Sequence, residues 1–257
     1  FKKKYISSDW DSFELILEDF LKNECKNITH PSSACFAVAG PLSNNNAKIM
    51  NLSWNISGNK LKNKFKFEKC ELINDFAVQI YGIPFLKKNQ YSTIQYGYQS
   101  EGTNNDLHAI VGAGTGLGIA RGLISGNEVK VLASEGGHVE YSPKSEFEWD
   151  LKTWLKNSLN IERISCERIV SGTGLSRIAE WRLSKSDAKN HPLQKFFRET
   201  KISDTLRKEL PEKICNLSKE GDQLMIEVEK IWLGAYASLL GDVALQELCF
   251  GGLWISG

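Results

Sequence analysis

The chain has 257 residues, 41% hydrophobic and 25% charged, the profile of a globular protein of one large or two modest domains that can bury a core without covalent staples. With 32 basic against 31 acidic residues the formal net charge is +1, which excludes the overall basic excess of a nucleic-acid binder, and the runs Lys2-Lys3-Lys4 and Lys60 to Lys69 read as solvated faces. The six cysteines, Cys25, Cys35, Cys70, Cys166, Cys215 and Cys249, show no C-x-x-C and no clustered Cys/His spacing, so a zinc site is not expected and the usage fits free thiols in a reducing compartment.

No apolar run approaches the ~20 residues that span a bilayer, and no secretory signal is visible. In chain order, residues 1–6 are expected as an edge strand. Residues 11–23 carry Phe13, Ile16, Leu17, Phe20 and Leu21 on one helical face, with Asp11 as cap and Glu14 completing a capping box. Residues 34–39 form a short apolar run closed by Gly40-Pro41, a buried strand and a turn. Residues 49–54 and 70–73 read as further strands, and a helix is expected from about Asp75. Residues 107–111 form a strand running into a glycine-rich loop, and 118–124 with 128–132 read as a hairpin about Ser125-Gly126-Asn127.

Beyond residue 146 helices dominate: 147–159, 162–171 and 225–248, the last with apolar Val228, Ile231, Ala235 and Leu239. Residues 183–222 are polar and are expected as surface helices and loops, and 250–257 as a final strand. The alternation fits an α/β chain of two lobes, a smaller α/β lobe over 1–85 and a larger α+β lobe over 86–257.

Four segments can carry chemistry. The run Val111-Gly112-Ala113-Gly114-Thr115-Gly116-Leu117-Gly118 follows an apolar strand, and its glycines let backbone N–H groups approach a phosphate. It has neither G-x-G-x-x-G nor Walker A spacing, and a ligand-free tight turn would look the same. Asn74-Asp75 stands after a strand, where α/β sheets bind ligands; Asp75 can accept a hydroxyl proton or merely cap the next helix. Glu135-Gly136-Gly137-His138 bends so that a carboxylate and an imidazole can meet one pair of hydroxyls, although a solvent-facing turn, or a metal site lacking its third ligand, is also open. Glu167, in Glu167-Arg168-Ile169-Val170-Ser171-Gly172-Thr173-Gly174, is expected within a helix that ends at a glycine, where a lone Glu is commonly solvated.

The order of these four segments resembles the bacterial glucokinase family, of the hexokinase, actin and Hsp70 ATPase superfamily. The resemblance extends to Phe36-Ala37-Val38-Ala39-Gly40-Pro41, Asn51-Leu52-Ser53-Trp54 and Phe250-Gly251-Gly252-Leu253-Trp254-Ile255-Ser256-Gly257. It implies a two-lobed ribonuclease-H-like, actin-like fold with a sugar and ATP cleft between lobes that closes on the sugar. It implies ATP-dependent phosphorylation of D-glucose at O6, the first step of glycolysis, in the cytoplasm with Mg²⁺. Asp75 would be the catalytic base; Asn74, Glu135, His138 and Glu167 would bind sugar hydroxyls; Gly114, Thr115 and Gly116 would face the ATP phosphates. The protein itself is expected to supply no metal site, to bind no nucleic acid and to cross no membrane; self-association into a homodimer stays open.

The family's opening strand and Asp-Gly-Gly-Thr loop are not found, and Gly257 matches the first of its closing glycine pair. The chain is therefore expected to lack natural ends, and to be marginally stable and inactive alone. The absence of a cysteine cluster separates it from the zinc-bearing ROK sugar kinases. A kinase for another hexose and a non-catalytic sugar sensor on the same fold are the alternatives, and the four-segment pattern disfavours an actin-like or chaperone ATPase.

Overall fold

The structure is a computed structural model, and it describes residues 1–26, 29–49, 52–97, 106–126, 128–132, 134–199 and 204–257. Asn51 and Asn127, named above, lie outside the described residues. The chain divides into two compact units, Phe1–Ile83 and Pro84–Gly257.

The first unit runs α1 (Phe13–Asn23), β1 (Ser33–Val38), β2 (Leu42–Ser43), β3 (Asn46–Lys48), β4 (Asn55–Ser57), α2 (Gly58–Phe65), β5 (Lys69–Asn74) and α3 (Val78–Gly82). β1 and β5 pair in parallel, from Ser33 opposite Lys69 to Val38 opposite Asn74. β5 alternates as a half-buried strand should: Cys70 and Leu72 enter the core while Lys69 and Glu71 face water. Leu17, Val38, Trp54, Ile56, Leu61 and Phe67 complete that core.

Several expectations fail here for local reasons. Residues 1–6 pair with no strand among the described residues; they are held against α1 by Lys3 Nζ and Tyr5 Oη, which donate to Asp19 at 2.9 and 2.7 Å. Ser12, not Asp11, stands at the cap of α1, and its side chain makes no capping bond. Only Val38 of β1 is buried, because among the described residues β1 pairs on one side alone. The described part of 49–54 is a tight loop, Ile49 N–H donating to Trp54 O and Leu52 N–H to Ile49 O; burying Trp54 turns the chain here.

The second unit contains β6 (Asp106–Ala113), β7 (Leu117–Ser125), β8 (Glu128–Leu132), α4 (Glu146–Leu159), α5 (Gly172–Leu183), α6 (Pro192–Glu199), α7 (Asp204–Lys219), α8 (Gln223–Glu247) and β9 (Gly252–Ser256). The sheet order is β8-β7-β6-β9, antiparallel except for β9, which runs parallel to β6. Ala109, Val111, Leu117 and Ile119 from the sheet meet Leu151 and Leu155 of α4, Ile178 and Trp181 of α5, Ile214 of α7 and Val228, Ala235 and Leu239 of α8. Tyr236 donates its hydroxyl to Val111 O at 3.2 Å inside this core, fixing α8 on the sheet. Among the described residues no helix is long and apolar enough to cross a membrane.

The helix expected over 162–171 is a loop with one 3-10 turn, Cys166–Arg168, and the helix begins where it was expected to end. Ser171 is extended, φ −166° and ψ 171°, and its hydroxyl accepts from Gly174 N–H, the geometry of an N-cap. A Cβ on Gly174 would stand 1.9 Å from Ile169 O, so only glycine lets α5 start against that turn.

Farther along, α8 is capped by Asp222, which accepts from Met225 N–H at 3.0 Å and pairs with His191 Nε2 at 2.9 Å. Burial opposes ionisation of Asp222, but the Met225 N–H and His191 outweigh it and hold the carboxyl below its ordinary value. Such a group contributes stability that is complete above its unfolded pKa, about 3.9, and lost as pH falls through the lower folded value. The urea midpoint of the wild type should therefore exceed that of Asp222→Asn at about pH 6, and the gap should narrow progressively as the pH falls below about 3.9.

Candidate active site

The C-terminal end of β5 presents the first candidates. Asn74 Oδ1 accepts from Phe76 N–H and Ala77 N–H, both at 3.0 Å, and so caps the turn that leads into α3. This is why regular helix waits until Val78. The capping function therefore belongs to Asn74 and not to Asp75. Asp75 donates its own N–H to Val38 O at 3.0 Å. Its side chain is exposed and makes no hydrogen bond or ion pair among the described residues. A carboxylate held on a fixed turn with both oxygens free can accept a proton from a hydroxyl brought to it. Asn74 Nδ2 makes only a long contact, 3.4 Å, to Gly40 O, which leaves amide hydrogens to offer.

The second unit gathers the remaining candidates. Gly112 pairs with Gly118 and Ala113 with Leu117, so Gly114, Thr115 and Gly116 form the tip of the β6–β7 hairpin. Inside the tip, Gly114 N–H donates to Gly116 O at 2.8 Å. Gly114 therefore offers no free donor. It offers open space instead: nothing lies within 4 Å of where its Cβ would be. Thr115 is exposed, and no bond among the described residues occupies its hydroxyl or its amide.

Leu117 connects this tip to the other two segments. Its N–H donates to Glu167 Oε2 at 3.1 Å, and that oxygen lies 2.7 Å from the position a Cβ on Gly116 would take. On its other side, Leu117 O lies 2.2 Å from where a Cβ on Gly137 would be, so the Glu135–His138 turn can seat only with glycine there. His138 Nε2 stands 3.7 Å from Glu135 Oε2, with both side chains mostly exposed. The turn is tied to the Glu167 segment by Cys166 N–H to Val139 O at 2.8 Å and by Arg163 NH2 to His138 O at 2.7 Å. Behind it, the buried Lys152 donates to Glu140 Oε1 and to Tyr141 O, both at 2.8 Å, and Tyr141 to Glu148 at 2.8 Å. The Glu140–Lys152 pair holds the Glu140 carboxyl below its usual range.

Asn74 and Asp75 thus belong to the first unit, and Gly114, Thr115, Gly116, Glu135, His138 and Glu167 are brought together in the second. Chemically, the second unit offers carboxylates and an imidazole suited to vicinal hydroxyls, beside a glycine tip suited to an anion. Among the described residues no group of three or more His, Cys, Asp or Glu side chains converges as metal ligands. Sequence reasoning missed Ser171, whose hydroxyl donates to Glu167 O at 2.7 Å. The signal was present in Ser171-Gly172-Thr173-Gly174, a cap followed by a close helix start, but it was read as a helix end.

A model of the glucokinase family matches residues 1–257. A glucokinase of Nostoc sp. is 34% identical over 264 residues, covering 100% of this chain and 75% of that protein. The crystal structure of a glucokinase from an Antarctic psychrotroph superposes with a TM-score of 0.74 at 27% identity, covering 98% of this chain and 71% of that one. A ROK family glucokinase from Streptomyces griseus, solved in complex with glucose and AMPPNP, shares the fold alone: TM-score 0.56 at 17% identity, covering 96% of this chain and 73% of that one. The several sheets and flanking helices are those of the actin-like ATPase fold.

Proposed function

The chain belongs to the glucokinase family, and from that premise we propose that it phosphorylates D-glucose at O6 with ATP, in the cytoplasm, as the entry step of glycolysis. The observation that carries the reading within the structure is the convergence on Leu117: its N–H holds Glu167 and its carbonyl seats the Glu135–His138 turn, directly beside the glycine tip. A sugar-hydroxyl site and an anion site are thereby built on one backbone residue. Glucose and an ATP analogue bound together in the S. griseus relative support the same pair of substrates.

In this reading Asp75 accepts the proton of the sugar O6 hydroxyl as that oxygen bonds to the γ-phosphorus. The bond from the γ-phosphorus to its bridging oxygen breaks, and ADP leaves. Asn74 offers its amide hydrogens to a neighbouring hydroxyl. Glu167 and Glu135 accept from other hydroxyls, and His138 donates or accepts according to its tautomer. Gly114 and Gly116 give the phosphates close approach, while the Thr115 amide and hydroxyl donate to them. Most of the catalytic task is alignment of two substrates and balance of charge. Mg²⁺ fits as a companion of the nucleotide, because magnesium is commonly held by substrate phosphates with few protein ligands. It would supply neutralisation of phosphate charge. The free, scattered cysteines accord with a cytoplasmic setting.

The test, made on the chain extended to the length of its glucokinase relatives, is ADP release with ATP and Mg²⁺ across glucose, mannose, glucosamine and other hexoses. Glucose should give the highest kcat/KM. Preference for another hexose would correct the substrate, and sugar binding without turnover would make the protein a sensor.

A further inference from the structure

Both ends of the glycine tip are held by one short stretch, residues 167–172. At the far end, Leu117 N–H donates to Glu167 Oε2 at 3.1 Å. At the near end, Gly172 N–H donates to Gly114 O at 2.8 Å. Ser171 lies between these ties and is 1% exposed. Its hydroxyl donates to Glu167 O at 2.7 Å and accepts from Gly174 N–H at 2.9 Å. Its carbonyl accepts from Trp232 Nε1 at 3.0 Å, which anchors the joint to α8. Glu167 commits one oxygen to the tip and leaves Oε1 without a hydrogen bond among the described residues.

We propose that Ser171, with Gly172, couples the sugar site to the phosphate tip, so that glucose and nucleotide each tighten the binding of the other. The proposal rests on the reading of Glu167 as a sugar ligand and of residues 114–116 as the phosphate tip. A hydroxyl donating to Glu167 Oε1 fixes that carboxylate. Its Oε2 then holds Leu117 in one position, and Ser171 transmits the ordering of Glu167 to Gly172 and Gly114. A tip ordered before the nucleotide arrives binds it with less entropic loss, and linkage makes the gain reciprocal. Ser171 touches neither ligand and is a positioning residue.

The measurement is calorimetry on wild type, Ser171→Ala and Gly172→Pro, with glucose and AMPPNP titrated separately and each in the presence of the other. Gly172→Pro deletes the N–H that holds Gly114, at the first position of α5, where proline is favoured; the extended Ser171 before it accommodates the ring. The ring carbon stands where the N–H pointed at Gly114 O, 2.8 Å from the nitrogen, so the tip is pushed off Gly172 while α5 keeps its start; the variant breaks the tie and tests the joint if Ser171→Ala does not fold.

In the wild type each ligand should tighten the other at least about fivefold, by the same factor in both directions. In both variants that factor should fall below about two, with glucose alone bound within about threefold of wild type. Absence of coupling in the wild type, or coupling unchanged in a folded variant, would overturn the proposal. So would variants that weaken each ligand alone and keep the coupling factor, since that is a merely structural effect. Wild-type protein that binds no glucose would overturn the functional reading itself and this proposal with it, an outcome distinct from binding without coupling.

Discussion

Asp75→Asn should lower kcat at least about 10²-fold while glucose binds with an affinity close to that of the wild type. A positioned general base contributes about 10²–10⁴ in rate, and the amide has almost the shape of the carboxylate but cannot take a proton. The structural setting makes the experiment clean. The turn that carries Asp75 is held by Asn74 Oδ1, through Phe76 N–H and Ala77 N–H, and by the Asp75 backbone N–H on Val38 O. The Asp75 side chain holds nothing among the described residues, so its replacement should change stability by less than about 0.5 kcal/mol. Stopped turnover with retained glucose binding means an interaction made only in the transition state. Equal loss of glucose binding and turnover would instead make Asp75 a ground-state ligand of the sugar.

Gly137→Ala should lower kcat/KM for glucose about 10²-fold. The added methyl would sit 2.2 Å from Leu117 O and 3.2 Å from Leu117 C. The first distance is shorter than any real contact, and its partner is backbone, which cannot rotate away. Turn and tip must therefore separate by about an ångström, and a misplacement of that size costs about 10² in rate. The loss should show mainly as a raised KM for glucose, because Glu135 and His138 move with the turn. Overpacking of this kind costs about 1–3 kcal/mol, so the urea midpoint should fall as well. A variant with wild-type kinetics would mean that the turn does not seat on Leu117 in solution.

The two predictions probe opposite kinds of evidence. Asp75 and the order of the four motifs were readable in the linear sequence, because chemistry constrains residue type at a strand end or in a glycine run. The helices with strong periodicity were readable for a similar reason. α1 and α4 stand within two residues of their expected bounds, since an apolar stripe can bury itself in only one way, and so does α8, which is rich in apolar residues along its whole length. The β7–β8 hairpin and β9 followed from runs of apolar residues between turn residues.

Where bonds to distant parts of the chain compete with local structure, local pattern misleads. Residues 162–171 have enough apolar spacing for a helix, but the chain pairs Cys166 N–H with Val139 O and Tyr141 N–H with Ile164 O instead. Those bonds tie it to the turn at Glu135–His138, some 30 residues earlier in sequence, a distance that periodicity does not sense. The first residues offered a strand and became a tether, because Asp19 captures Lys3 and Tyr5.

The sequence by itself determined the inventory: a carboxylate after a strand, a glycine tip, an acid–imidazole turn and a further glutamate, in the order of a sugar kinase. Only the tertiary structure decided the division of labour among them. It assigned the capping of the turn to Asn74 and left the Asp75 side chain without a bond among the described residues. It closed Gly114 N–H on Gly116 O, which passes donation to Thr115. It made Leu117, an ordinary core leucine by sequence, the residue whose N–H holds Glu167 and whose carbonyl packs against Gly137. The reason is physical: residue type sets what a side chain can donate or accept, but which partner takes each bond depends on backbone groups brought together from distant parts of the chain.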